Sequence, residues 1–184
     1  MKKQKLDFKA KKYISTYYIK NGKAVISIDI KDNNMFYNEL DHDGLTLSNK
    51  IIHFIDNRID YILYRYEVVL KFYCEEITED EKKKITNMIR THYGLEANER
   101  NNDLNLNKIK SSSLFLLGVV FLALSSISNG YSFIIKEILS IAGWVAIWEM
   151  VTSMLFGTIK IKLDKYDATK LSKAEIYFIT GQSK

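Results

Sequence analysis

The chain has 184 residues, 27 of them lysine or arginine and 22 aspartate or glutamate, and the charges are very unevenly placed. Residues 111 to 135 carry none and residues 138 to 159 carry only Glu149, so 47 residues hold one charge while the other 137 hold 48. This split predicts a soluble domain joined to a membrane hairpin; the 47% apolar content excludes general disorder, and a lone Cys74 excludes a disulfide framework.

In chain order, residues 1 to 12 form a basic tail. Lys2, Lys3, Lys5, Lys9, Lys11 and Lys12 against Asp7 account for the whole formal charge of +5. Beside a membrane such a tail suits anionic lipid headgroups; nucleic acid is the sharper reading of the same lysines, and a solvated segment the plainer one. Asn21-Gly22 between two alternating runs predicts a two-residue hairpin that pairs Lys20 with Lys23, Ile19 with Ala24, Tyr17 with Ile26 and Tyr13 with Ile30. Residues Asp32 to Leu47 read as a polar loop. From Ser48 a helix places Ile51, Ile52, Ile55, Ile59 and Ile62 along one stripe. Tyr66, Val68, Leu70 and Phe72 alternate as a half-buried strand ending at a core Cys74. Thr78-Glu79-Asp80-Glu81 is a capping box that opens a helix burying Ile85, Met88 and Ile89, with Gly94 as its predicted C-cap.

Glu96 to Lys110 is polar and Asn-rich, a linker or helical stalk. Two apolar spans follow, about 112–128 and 138–157, each long enough to cross roughly 30 Å of hydrocarbon. Thr158 to Leu171 reads as a helix and Glu175 to Thr180 as a final strand with Ile176 and Phe178 on one face. The expected fold is α+β, an antiparallel sheet with helices on one face, interrupted by a two-helix transmembrane hairpin. The cytoplasmic domain would comprise residues 13–110 plus 160–184, and the hairpin residues 111–159. Lysines concentrate at the outer ends of the hairpin and only Lys136 lies in its turn, so the positive-inside bias puts both termini in the cytoplasm of a multi-pass inner or plasma membrane protein.

Glu149 stands out chemically. A carboxylate within a span costs at least a few kcal/mol by insertion scales, so it should face a helix or water rather than lipid. At helical spacing it shares a face with Ala142, Ala146 and Ser153. It is read either as a pore or gating group, with Ser153, Ser140 and Ser126 as polar companions, or as an interhelical hydrogen bond that fixes an oligomer. Gly118, Ala142, Gly143 and Ala146 offer close helix approach, and Trp144 and Trp148 sit too deep for an interfacial belt, so packing against the first span or another subunit is expected of them. Lys108, Lys110, Lys160 and Lys162 would ring the cytoplasmic mouth and favour an anionic partner. Two spans enclose no aqueous path alone, so any channel would be a homo-oligomer.

Elsewhere the residues point to structure. Glu39, Asp41, His42 and Asp43 before Gly44 lack calcium-loop spacing and read as a solvated turn. His53 and His92 sit on helices in structural settings. Tyr17, Tyr18, Tyr61, Tyr64 and Tyr66 could stack bases, although tyrosine is an ordinary strand residue. The 8 glycines form no nucleotide-binding motif, and no nucleophile has a base at recognisable local spacing. No enzyme, metal or cofactor is expected.

The run Gly143-Trp144-Val145-Ala146-Ile147-Trp148-Glu149 resembles a group of small bacterial membrane proteins in which a short α/β domain is split by a two-span hairpin. Ser125-Ser126, Glu137-Ile138-Leu139 and the loop from Phe36 to Asp41 match as well; the prolines of that loop and of the segment after the second span are missing here. The architecture is similar to two-span effectors of bacterial anti-phage systems, including the membrane partner of Hailong-type systems. That resemblance implies a cytoplasmic domain responding to a nucleotide or oligonucleotide and a loss of membrane integrity. The expected function is therefore an oligomeric pore-forming or membrane-disrupting effector, and the competing reading is a non-conducting membrane-anchored scaffold.

Overall fold

The computed structural model describes residues 18–20, 22–63, 65–127 and 133–181. The basic tail, Tyr13, Tyr17, Tyr64 and the turn at 128–132 lie outside these residues. The chain divides into two compact units, one formed by residues up to Glu96 together with those from Asp167, the other by Ala97–Tyr166.

The first unit is built on a four-stranded sheet in the order β1 (Ile19–Lys20), β2 (Lys23–Ile30), β3 (Val68–Cys74), β4 (Glu175–Thr180). β1 and β2 pair antiparallel with Ile19 opposite Ala24 and Lys20 opposite Lys23, the register that the Asn-Gly turn predicts, and Gly22 takes the positive φ of 79° that the turn requires. The fully antiparallel sheet is not what forms. β2–β3 and β3–β4 are both parallel, so the sheet is mixed. Parallel neighbours need crossover connections, and the chain has two of them: the segment holding α1 (Asn49–Ile59), and the whole stretch from Cys74 to Glu175. The sequence signal for this was β3 itself, where the consecutive apolar Val68, Val69 and Leu70 are all buried, as suits a central strand.

The parallel register aligns Ile26 with Leu70 and Ile176, and Ile28 with Phe72 and Phe178, so three strands present one apolar face. Against it pack Ile51, Ile55 and Ile59 of α1, and Ile85, Met88, Ile89 and Tyr93 from the start of α2 (Glu79–Ile127), with Leu171 and Ala174. Each isoleucine, leucine or methionine among them contributes about 1.5–3 kcal/mol when fully buried. Residues Asp32 to Leu47 are not the polar loop expected. A 3-10 turn at Asn33–Phe36 and a bridge from Tyr37 to Leu47 drive Phe36 and Leu47 into the core, where Phe36 meets Phe72 edge-on at 5.3 Å between ring centroids.

Ser48 caps α1 by accepting from the Lys50 N–H, and the capping box is formed: the Thr78 N–H donates to Glu81 Oε2 at 2.9 Å and the Glu81 N–H to Thr78 Oγ1 at 3.3 Å. Gly94, however, is not a C-cap, because α2 runs through it without a break to Ile127. A single glycine costs a helix only about 1 kcal/mol, which this long helix absorbs. The Asn-rich stretch after Glu96 is accordingly a helical stalk, and it belongs with the hairpin unit.

Candidate functional site

The second unit contains the apolar part of α2, then α3 (Phe133–Thr152), a π turn (Ser153–Gly157) and the first part of α4 (Thr158–Ser172). Two of its helices are long and apolar enough to cross a membrane. α3 begins at Phe133, ahead of the span expected from Ile138, since a helix needs no apolar residue to continue through Lys136 and Glu137.

The two helices touch where side chains are smallest. A Cβ on Gly118 would lie 2.7 Å from Ile147 and 3.0 Å from the Gly143 carbonyl, and one on Gly143 would lie 2.7 Å from Leu122. Such backbone approach is open only to glycine here, and it gives the hairpin its tightest packing. Ala146 is buried beside this contact while Ala142 is half-buried. Trp144 and Trp148 take no part in it, being 64% and 73% exposed on the outside of the hairpin.

At the turn end, Ser125 is buried and its hydroxyl donates to the Lys136 carbonyl at 3.0 Å; its neighbour Ser126 faces outward, and Ser140 is half-buried. Toward the open end, Glu149 lies about 18 Å beyond Glu137 and about 16 Å before Lys160 along the helix, the middle of the charge-poor stretch. Its carboxylate pairs with Lys110 at 3.4 Å, with both side chains more than half exposed. Lys110, expected at the mouth, is therefore the partner of the carboxylate expected within the span.

One turn further, Asn107 fastens the π turn. Its Nδ2 donates to the Ser153 carbonyl and to Thr158 Oγ1, both at 3.1 Å, and its Oδ1 accepts from the Ser153 hydroxyl at 2.8 Å. The Ser153 carbonyl also takes the Thr158 N–H, the five-residue bond that defines the π turn. Ser153 thus serves Asn107 rather than standing with Glu149. Asn107 itself was not anticipated from sequence, and its only signal was one amide side chain amid an Asn-rich run. Lys108, Lys160 and Lys162 are exposed, while Lys165 reaches Asn101 Oδ1 at 2.8 Å.

Within the sheet unit, the outer face of α1 carries an open concavity of about 790 Å³ lined by Lys50, His53, Phe54, Asn57, Arg58 and Tyr61. The Arg58 guanidinium lies 5.0 Å over the Phe54 ring and also contacts Tyr18. Of the tyrosines considered for stacking, Tyr18 and Tyr61 belong to this region, whereas Tyr66 pairs with Arg65. The acidic turn is occupied by its own backbone: Asp41 accepts from the Leu45 and Thr46 N–H groups and from the Thr46 hydroxyl at 2.6 Å, and that hydroxyl bond leads in holding its carboxyl below the usual range. Among the described residues no His, Cys, Asp or Glu cluster is arranged to hold a metal. The chain matches no family model, no curated protein and no solved structure.

Proposed function

We propose that the chain is an oligomeric integral membrane protein in which the sheet unit senses a ligand or partner and sets the state of a pore or membrane-disrupting hairpin, with both termini in the cytoplasm. The observation that supports this reading is the Lys110–Glu149 pair. Both side chains are more than half exposed, and Val145 and Trp148 beside Glu149 are exposed apolar groups. An ion pair facing hydrocarbon pays for desolvation at both ends, so it is better satisfied by a second hairpin or by a water path. Several copies arranged with this pair toward a common axis satisfy it in both ways. α2 runs without a break from Glu79 to Ile127, so one helix carries residues of both units. The concavity on α1, with an arginine, a lysine and aromatic rings, is a surface on which an anionic, base-bearing ligand could be sensed. The similarity to two-span anti-phage effectors fits the same reading.

The test is to reconstitute the full chain in liposomes and nanodiscs, measuring subunit number and ion leakage for the parent, Glu149→Gln and Lys110→Met. Oligomers whose leakage changes in both variants support the proposal. Monomers that never leak would instead favour the membrane-anchored scaffold, a reading supported by the Gly118–Gly143 contact, which already completes packing within one copy.

A further inference from the structure

At the open end of the hairpin, a groove of about 690 Å³ runs between the two helices. One wall is a helical ladder on α2, Leu104, Lys108, Ser111 and Phe115, at spacings of four, three and four; the other is Met150, Met154, Thr158 and Lys162, each four apart. Because the helices are antiparallel, the two ladders grade in the same direction. Inward from Lys108 on one wall and from Lys162 on the other, each wall passes from lysine to hydroxyl to apolar side chains, with Leu104 outside Lys108 and the Lys162 wall set outward, since Thr158 meets Asn107. Among the described residues Lys108 and Lys162 have no ion-pair or hydrogen-bond partner, whereas Lys110 is engaged by Glu149 and Lys165 by Asn101. Ser111 lines the groove, is 5% exposed, and its hydroxyl oxygen has no hydrogen-bond partner among the described residues, an unusual state for a buried polar group.

We propose that this groove is a binding site for one anionic phospholipid. The phosphate lies between the Lys108 and Lys162 ammonium groups, the glycerol ester region meets Ser111 and Thr158, and an acyl chain lies over Phe115, Met150 and Met154. From Lys108 and from Lys162 inward, each wall runs charge, hydroxyl, hydrocarbon, the order of these parts in a phospholipid, and basic pockets between spans suit anionic headgroups. A free phosphate or an oligonucleotide would use the lysines and leave the apolar floor uncovered, so the lipid is the occupant that the whole groove fits. Methionine side chains suit such a floor because they adapt to a mobile chain. The site needs the hairpin to be membrane-embedded but does not depend on conduction.

The experiment uses the full chain, delipidated in detergent, with bound lipid counted by native mass spectrometry against phosphatidylglycerol and phosphatidylcholine of identical chains. We expect one phosphatidylglycerol retained in preference to phosphatidylcholine, and about 30-fold weaker binding in Lys108→Ala/Lys162→Ala, as loss of two lysines near a headgroup implies. Lys108→Arg/Lys162→Arg should restore it, Met154→Gln should weaken it without changing charge, and Lys173→Ala, exposed in the sheet unit, should leave it unchanged. Equal retention of the two lipids, undiminished binding in the double alanine variant, or competition by glycerol phosphate or a short oligonucleotide as effective as the intact lipid would each overturn the proposal. Leakage measured separately in liposomes tests the pore, so failure of one reading does not obscure the other.

Discussion

The two units use the same residue types in opposite ways. In the sheet unit Leu70, Phe72, Ile55 and Ile89 are fully enclosed, while in the hairpin Trp148, Phe133 and Phe156 point outward and the contact between helices is made by glycine and alanine. The first arrangement is what water dictates, since apolar area removed from it is the main stabilising term. The second makes sense when the surroundings are themselves apolar, because burying a large side chain then gains little and close backbone approach gains more. Fold stability should therefore depend on large core residues in one unit and on the smallest residues in the other.

Substitutions can break this contrast. Leu70→Ala should cost most, about 2–5 kcal/mol, read as an earlier chemical unfolding transition of the sheet unit by far-ultraviolet circular dichroism in detergent. Gly143→Val should come next at about 1–3 kcal/mol, because its side chain must displace Leu122, and it should lower the melting temperature of the hairpin while the sheet transition stays put. Thr78→Ala should remove about 1 kcal/mol by opening the capping box, detectable as faster amide exchange in the first turn of α2. Trp148→Ala should change detergent stability by less than about 0.5 kcal/mol, despite the size of the deleted group. If Trp148→Ala proved as costly as Leu70→Ala, the outward tryptophan would be packed against protein and the contrast would fail.

A pH series sharpens the sheet side. Asp56 is largely buried on α1 and accepts from the Tyr93 hydroxyl at 3.2 Å; burial raises its carboxyl pKa, Glu96 and Asp60 add to the rise, and Tyr93 and His92 oppose it. Its folded value lies above the ordinary 3.8, so its contribution to stability is complete below that pH and is lost as pH rises through the folded value. Asp56→Asn should thus be more stable than the parent at neutral pH, with the gain vanishing near pH 3. Buried Tyr93 is shifted in the same direction, its hydroxyl kept protonated by burial and by Asp56.

Much of the sheet unit was legible because its signals are local. The Asn-Gly turn set the β1–β2 register, the isoleucine stripe marked α1, and Thr78 with Glu81 marked the start of α2. What the sequence hid was pairing between distant strands: alternation in β2 and β4 fits either direction, and only the direction of the crossovers decides it. Gly94 misled for a related reason, since a glycine can end a helix or be carried through it, and the residues beyond, not the glycine, decide. In the hairpin, Gly118 and Gly143 were legible as small residues within the two spans, but nothing local said that Trp144 and Trp148 turn outward. Nor could spacing reveal that Lys110 answers Glu149 or that Asn107 answers Ser153. Those matches span 39 and 46 residues and depend on the antiparallel register of two helices.

That register has a consequence for the bilayer. The charge-free run of the first helix starts at Ser111, level with Glu149, while the second helix stays free of charge for about 16 Å more, until Lys160. Beyond Glu149 the apolar Met154, Leu155, Phe156 and Ile159 therefore run beside an Asn-rich stalk, and the hairpin presents two hydrophobic thicknesses to the same lipid. No flat bilayer matches both. As a pair of membrane spans the hairpin would have to lean, or the leaflet to thin on its shorter side, close to the π turn that Asn107 holds.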